Sequence, residues 1–381
     1  MKFATKVVHV GQDPEKEHGA VIPPIYQTTT YAQHAPAQLF SEYDYTRAGN
    51  PNFNNLERVL ASLENASEGV VFSSGLGAEM ALLMQLMPGD HVIANDDLYG
   101  GTFRLLTQLS KRTGITFTQV VGSDLAAWES AITSKTQYLW LETPSNPLLN
   151  IIDVAAIAQL GKKHHLRVVV DNTFATPVLQ QPLSLGADVV FHSTTKYLGG
   201  HSDAIGGAVL TNDAELAKQL RFARMCYGLN TSPFDAWLTH RGVKTLAVRM
   251  NQHVSTAKAL VSFLATQKKV EAIYYPGLKT HPGHEVAKKQ MSNFGGMLSV
   301  RFAGSSEKLK LSLAQMKCFT LAESLGGVES LVCHPASMTH ASIPKEIREA
   351  RGVTENVVRF SVGIEDAEDL IADLEKLLKL L

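Results

Sequence analysis

The strongest constraint on the fold is one pattern that recurs along the first two thirds of the chain. A short apolar or β-branched run ends in polar residues and leads towards a helical stretch. Gly69-Val70-Val71-Phe72, His91-Val92-Ile93-Ala94, Tyr138-Leu139-Trp140-Leu141, Arg167-Val168-Val169-Val170 and Val189-Val190-Phe191 are such runs. Unbroken apolar runs of this length suit strands covered on both faces. Helical spacing fits about Asn54–Leu63, a stretch from Ser74 towards Met87, and about Val154–His164. Strands alternating with helices imply an α/β domain with a mostly parallel sheet. In such sheets ligands bind outside the carboxyl ends of the strands.

Those strand ends carry chemistry. After Val189-Val190-Phe191-His192 come Ser193, Thr194, Thr195 and Lys196, then Gly199-Gly200. A lysine just past a buried strand has a lowered pKa when desolvated, and a free amine attacks a carbonyl to form a Schiff base. A solvated loop lysine is the plainer alternative. Asp171 ends a β-branched run, where a carboxylate is costly unless paired. Ser73-Ser74-Gly75-Leu76-Gly77 joins a strand to a helix, the arrangement that binds anions through backbone N–H groups. The same stretch supports a competing dinucleotide reading, with Gly75-x-Gly77 and Asp96 downstream, but Met80 stands at the third glycine position. Tyr99 follows another strand and could stack on a flat ring. Asn146 lies in Glu142-Thr143-Pro144-Ser145-Asn146-Pro147 at a further strand end.

Before the first strand, residues 1 to about 45 are rich in Pro, Thr, Gln and Tyr and weakly periodic. They read as an extended arm, and an arm without a core packs on something, often another subunit. Tyr45-Thr46-Arg47 closes it; the phenol and guanidinium lie on one side of an extended segment and form an anion clamp or a surface turn. Past about Leu238 the pattern changes. A long helix from Thr239 to about Thr266, strands at Gly296–Phe302 and Val357–Val362, and a last helix near Ala367–Leu380 suggest a smaller α+β domain. Arg359 lies in a strand-like apolar run and needs an anionic partner, either a structural carboxylate or a substrate carboxylate.

Composition excludes several classes. A net charge of −1 gives no electrostatic reason to bind nucleic acid or an acidic membrane. No apolar run is long enough to cross a bilayer, and Met1–Lys6 lacks a signal-peptide core, so a cytoplasmic location is the expectation. The three cysteines, Cys226, Cys318 and Cys333, form no CxxC pair and suit free thiols. Neither Cys333-His334 nor His281-Pro282-Gly283-His284 has metal-ligand spacing, and no metal is expected; the latter reads as a turn.

A Schiff-base lysine, a buried aspartate, a stacking tyrosine and a phosphate cradle are together what pyridoxal phosphate requires. Tyr45-Thr46-Arg47, Ser74-Gly75-Leu76, Tyr99-Gly100-Gly101-Thr102, Glu142–Pro147, Asp171-Asn172-Thr173-Phe174, Ser193–Gly200 and Glu323–Gly327 resemble the motifs of the Cys/Met-metabolism pyridoxal-phosphate enzymes. That family includes cystathionine γ-lyase, cystathionine γ-synthase and methionine γ-lyase, and the resemblance covers essentially the whole chain.

The resemblance implies fold type I (aminotransferase-like): an arm over residues 1–48 contacting the neighbouring subunit, a cofactor-binding domain with a large mixed sheet over 49–244, and a C-terminal α+β domain over 245–381. It implies Lys196 as the Schiff-base lysine and proton shuttle, with Tyr99 as the second catalytic residue, stacking on the ring. Asp171 would pair with the pyridinium, and Gly75, Leu76, Ser193 and Thr195 would hold the phosphate. Tyr45 and Arg47 would complete the phosphate site from the neighbouring subunit, in a dimer at least and by family habit a tetramer of two such dimers. Arg359, with Asn146 and Ser324, would hold the substrate α-carboxylate, and Glu323 a distal ammonium.

The implied reaction is γ-elimination of L-cystathionine to L-cysteine, 2-oxobutanoate and ammonia. The alternative is the synthase reaction, joining L-cysteine to an O-acyl-L-homoserine; a nicotinamide oxidoreductase would leave Lys196, Tyr99 and Arg359 unexplained. Gly101 stands where methionine γ-lyases carry a cysteine, which disfavours that member. Asn52 stands where a threonine commonly follows Gly-Asn-Pro, with no loss of cofactor binding expected.

Overall fold

The computed structural model describes residues 1–341 and 343–381. Its centre is a seven-stranded sheet, in the order Glu68–Phe72, Gly207–Thr211, Val189–Ser193, Arg167–Asp171, Thr136–Glu142, His91–Asn95, Thr116–Val120. All neighbouring pairs are parallel except those made by Gly207–Thr211, which is antiparallel to both its neighbours. The sheet is therefore mixed and mostly parallel, as the sequence led one to expect. The strand alternation decides which residue faces which layer. Val70, Phe72, Trp140, Val169 and Phe191 pack on one side with the helices Gly75–Leu83, Gly100–Thr113 and Ala214–Tyr227. Leu139, Leu141, Val168 and Val170 pack on the other with the helix Val154–His164. Burial on both faces is why these strands read as unbroken apolar runs.

Two strands of this sheet escape the sequence reading. Thr116–Val120 lies at the edge with alternating exposed and half-buried residues, so it carries little apolar signal. Gly207–Thr211 follows a glycine-rich loop and has no helix before it. The helix expected to run towards Met87 ends at Leu83, and the helix Pro51–Glu64 begins earlier than Asn54 because Asn50 caps it, accepting from the Asn52 N–H at 2.9 Å. Asn52 also donates to the Pro24 carbonyl and accepts from the Tyr26 N–H, both at 2.8 Å, so it ties the N-terminal segment to this helix.

That N-terminal segment is not extended throughout. Phe3–His9 forms a helix whose Val7 joins the main core, while Val21, Ile22, Tyr26 and Phe40 remain exposed. The single long helix expected from Thr239 to about Thr266 is two helices, Pro233–Val243 and Leu246–Leu264. The break lies at Lys244 and Thr245, where buried Arg249 reaches back to the Gly242 carbonyl at 2.8 Å and the Thr245 hydroxyl at 3.0 Å. The same guanidinium donates to the Tyr197 carbonyl at 2.8 Å and so fixes the turn after Lys196. His281–Gly283 is a turn as expected, and His284 then opens the helix His284–Gln290.

The second sheet has five strands in the order Val270–Tyr274, Met297–Phe302, Val357–Ser361, Leu331–Cys333, Thr320–Leu321. The helices Leu246–Leu264 and Ala367–Leu380 contribute Leu260, Leu264, Leu370 and Leu374 to its core. Its Val357–Ser361 strand carries Arg359. Among the described residues, no helix is long and apolar enough to cross a membrane.

Candidate active site

A cavity of about 370 Å³ opens at the carboxyl ends of the parallel strands. Every sequence-predicted site residue except Tyr45 and Arg47 lines it: Gly75, Leu76, Tyr99, Asn146, Asp171, Ser193, Thr195, Lys196, Glu323, Ser324 and Arg359. Those from the large domain meet because they stand at or just past strands whose carboxyl ends point the same way, while Glu323 and Ser324 follow, and Arg359 lies in, strands of the second sheet.

Lys196 sits in the turn after Val189–Ser193, and its Nζ donates to the Ser324 hydroxyl at 2.9 Å. Burial brings its amine down to about 8; the nearby Arg359 guanidinium pushes the same way and Glu323 opposes. Ser324 takes a left-handed φ of 82° at this contact.

One side of the cavity can hold an anion. Ser74 caps the helix Gly75–Leu83, its hydroxyl accepting from the Gly77 N–H at 3.0 Å. The N–H groups of Gly75 and Leu76 are first-turn groups with no partner inside the helix. Thr195 is held by Gly206, accepting its N–H at 3.0 Å and donating to its carbonyl at 3.2 Å, and Ser193 N–H donates to the Thr173 hydroxyl at 3.0 Å. Gly207 lets the antiparallel strand lie against this corner, since a Cβ there would collide with the Ser74 carbonyl.

Another side is acidic. Asp171 accepts the Thr173 N–H at 2.9 Å; burial raises its carboxyl, with Thr173 opposing. Glu79 and Glu142 line the same cavity, and burial pushes both well above the ordinary carboxylate range, reinforced by the Asp171 charge. Glu79 accepts from the Thr102 hydroxyl at 3.0 Å, and its second oxygen is buried without a partner. Three carboxylates in one poorly solvated space cannot all stay ionised without a cation among them. Sequence reasoning missed Glu79 and Glu142 as site residues. The signal was present for Glu142: it ends an apolar strand as Asp171 does, and the two face each other across paired strands.

Tyr99 stands at the start of the helix Gly100–Thr113, with burial keeping its phenol protonated above its ordinary value. Its ring lies over the next turn, and a Cβ on Gly101 would collide with Cε1. A cysteine at 101 is incompatible with this ring position.

Arg359 is 2% exposed. It donates to the Asn146 side-chain oxygen at 2.9 Å and to the Ser324 carbonyl at 2.7 Å, while its Nε is buried without a partner. No carboxylate of the chain bonds it among the described residues, so the structural ion pair considered from sequence is absent. Asn146 is held in turn through its carbonyl by buried His340 at 3.2 Å.

Tyr45 and Arg47 stand apart from the cavity of their own chain. Arg47 stacks over the Tyr45 ring at 5.4 Å and donates to the Met225 carbonyl at 2.7 Å, and Tyr45 is 45% exposed.

Comparison with known proteins settles the family. The model of the Cys/Met metabolism PLP-dependent enzymes matches residues 4–379. The chain belongs to that family. It is 50% identical over 375 residues to a cystathionine beta-lyase of Lactococcus lactis subsp. cremoris, covering 98% of each chain. It is 51% identical over 377 residues to a cystathionine gamma-synthase of Mycobacterium leprae, covering 99% of this chain and 96% of the relative. The crystal structure of a cystathionine gamma-lyase from Lactobacillus plantarum, complexed with L-serine, superposes with a TM-score of 0.96 at 43% identity, over 100% of this chain and 99% of that one. The protein is therefore a pyridoxal-phosphate enzyme, and the nicotinamide reading is set aside.

The cavity fits that cofactor on its own chemistry. An amine brought to about 8 suits an aldehyde partner, and a capped helix N-terminus beside two hydroxyls suits a phosphate. The clustered carboxylates suit a cationic ring nitrogen, and the orphaned Arg359 Nε leaves a donor for a further anion.

Proposed function

We propose that this chain breaks the Cγ–S bond of L-cystathionine, with water releasing L-cysteine, 2-oxobutanoate and ammonia. The observation that carries this reading is one cavity holding both the Arg359–Asn146 pair and the acidic Glu323 around Lys196. Cystathionine has an α-carboxylate at the reacting end and an ammonium at the far end, and these two groups match those two charges. Arg359, with Asn146 and Ser324, binds the α-carboxylate, and Glu323 receives the distal ammonium.

Bound pyridoxal phosphate supplies an electron sink for the charge left at Cα and Cβ. Lys196 would hold the cofactor's aldehyde, and its Nζ would take the Cα proton of the substrate. An amine near 8 is suited to both giving and taking protons at neutral pH. Asp171 would hold the ring nitrogen protonated. Tyr99 would cover the ring and, being neutral, would have a proton to donate towards the leaving sulfur. Gly75, Leu76, Ser193 and Thr195 hold the phosphate. Tyr45 and Arg47 reach the phosphate of a neighbouring subunit, in a tetramer built as a dimer of dimers. Their distance from their own cavity and the exposed apolar side chains of residues 21–45 support this. The residues divide into the arm 1–48, the cofactor-binding domain 49–244 and the domain 245–381. The place of action is the cytoplasm, in keeping with three unpaired cysteines.

Two other reactions have support in the relatives at about 50% identity: cystathionine β-elimination and cystathionine synthesis. Purified protein with cystathionine alone is expected to release 2-oxobutanoate and cysteine. Pyruvate with homocysteine would make it the β-lyase. Turnover only with cysteine and an O-acyl-homoserine, yielding cystathionine, would make it the synthase.

A further inference from the structure

The buried carboxylate of Glu142 serves two loops at once. One oxygen accepts the backbone N–H of Tyr99 at 2.6 Å, and the other accepts that of Asn146 at 3.0 Å. Glu142 is itself fixed, its own N–H donating to the Asn95 side chain at 2.8 Å at the end of the neighbouring strand. Asn146 passes this order to Arg359 through their 2.9 Å contact. We propose that Glu142 is a positioning residue that couples cofactor stacking by Tyr99 to substrate-carboxylate binding by Asn146 and Arg359.

The physical case is one of satisfied demand. The Tyr99 and Asn146 N–H groups lie in irregular loops beside the cavity, where no strand partner is available to them. A carboxylate offers two acceptors on one short side chain, and these two N–H bonds favour its ionised, charge-assisted form against the burial that opposes it. Glutamine has the same shape but one acceptor; its NH₂ would face one of the two N–H groups, donor against donor. Aspartate keeps both acceptors but is one methylene short of spanning both loops. Both substitutions leave Lys196, Tyr99, Asn146 and Arg359 themselves unchanged. The inference rests on the roles given above to Tyr99 and Arg359.

The test measures two binding constants on the whole protein. The first is the dissociation constant of pyridoxal phosphate for cofactor-free protein, by equilibrium dialysis. The second is that of L-alanine for the loaded protein, by the shift of the visible band. L-Alanine has an α-carboxylate and no γ-substituent, so the result does not depend on which C–S bond is cleaved. Glu142→Gln is expected to raise both constants about tenfold, because one N–H then faces a donor and the other loses its charge-assisted acceptor. Asn146→Ala keeps its backbone N–H and is expected to raise the L-alanine constant alone. A folded Glu142→Gln protein with only one constant raised, or neither, overturns the coupling. If that variant does not fold, Glu142→Asp puts the same two constants to the same test. Arg359→Met separates the two possible failures. If it leaves the L-alanine constant unchanged, the Arg359 role is wrong; if it raises it while Glu142→Gln does not, the coupling alone is wrong.

Discussion

The ionisation of Lys196 can be tuned from its neighbours, and the sign of each change is fixed by the structure. An ordinary lysine at 10.5 is unprotonated in only about one molecule in three thousand at pH 7. At about 8 the free amine rises to roughly one in ten, a gain of about 300-fold in the form that can attack an aldehyde. Glu323 works against this gain, because its carboxylate favours the ammonium; Arg359 works for it. Glu323→Gln is therefore expected to move the midpoint of cofactor capture below about 8, and Arg359→Met to move it up. The assay mixes cofactor-free protein with pyridoxal phosphate from pH 6 to pH 10 and follows the rate at which the visible band of the bound cofactor appears. The wild-type rate should rise with pH and level off above a midpoint near 8. A midpoint near 10.5 that neither substitution moves would refute the argument, since Lys196 would then be solvated.

Other substitutions read the scaffold around that lysine. Glu79→Gln should stabilise the cofactor-free protein at neutral pH, because a carboxyl raised by burial costs stability above its ordinary 4.5 and nothing well below it; thermal melts should show the gain at pH 7 vanish as the pH falls towards 4. Gly101→Ala should push the Tyr99 ring aside and weaken cofactor binding by roughly 1–3 kcal/mol, a cost typical of overpacking, which equilibrium dialysis would read. Arg224→Met should destabilise the fold by about 3–5 kcal/mol in denaturant melts, because it leaves Glu57 buried without its 2.6 Å partner.

The parts of this molecule that were legible in the sequence are those with a local cause. Strands buried on both faces announce themselves as apolar runs, and their polar carboxyl ends named Asp171, Ser193, Thr195 and Lys196 as residues of one site. What escaped depends on partners far along the chain. The break at Lys244 and Thr245 comes with a guanidinium that also holds the turn after Lys196. The Lys196–Ser324 contact joins residues 128 positions apart. Glu142 was visible as part of a motif, but its bonds go to backbone N–H groups, and no pattern of side chains records those. The edge strand Thr116–Val120 was silent because a half-exposed strand needs few apolar residues.

Lys196 is the residue expected to bond the cofactor. The most direct measurement is to treat the loaded protein with borohydride, digest it and locate the added mass by mass spectrometry. The expected result is one modified peptide, carrying the reduced pyridoxal phosphate on Lys196, and none from Lys196→Ala. The adduct on another lysine, or its persistence in Lys196→Ala, would contradict the assignment of the site.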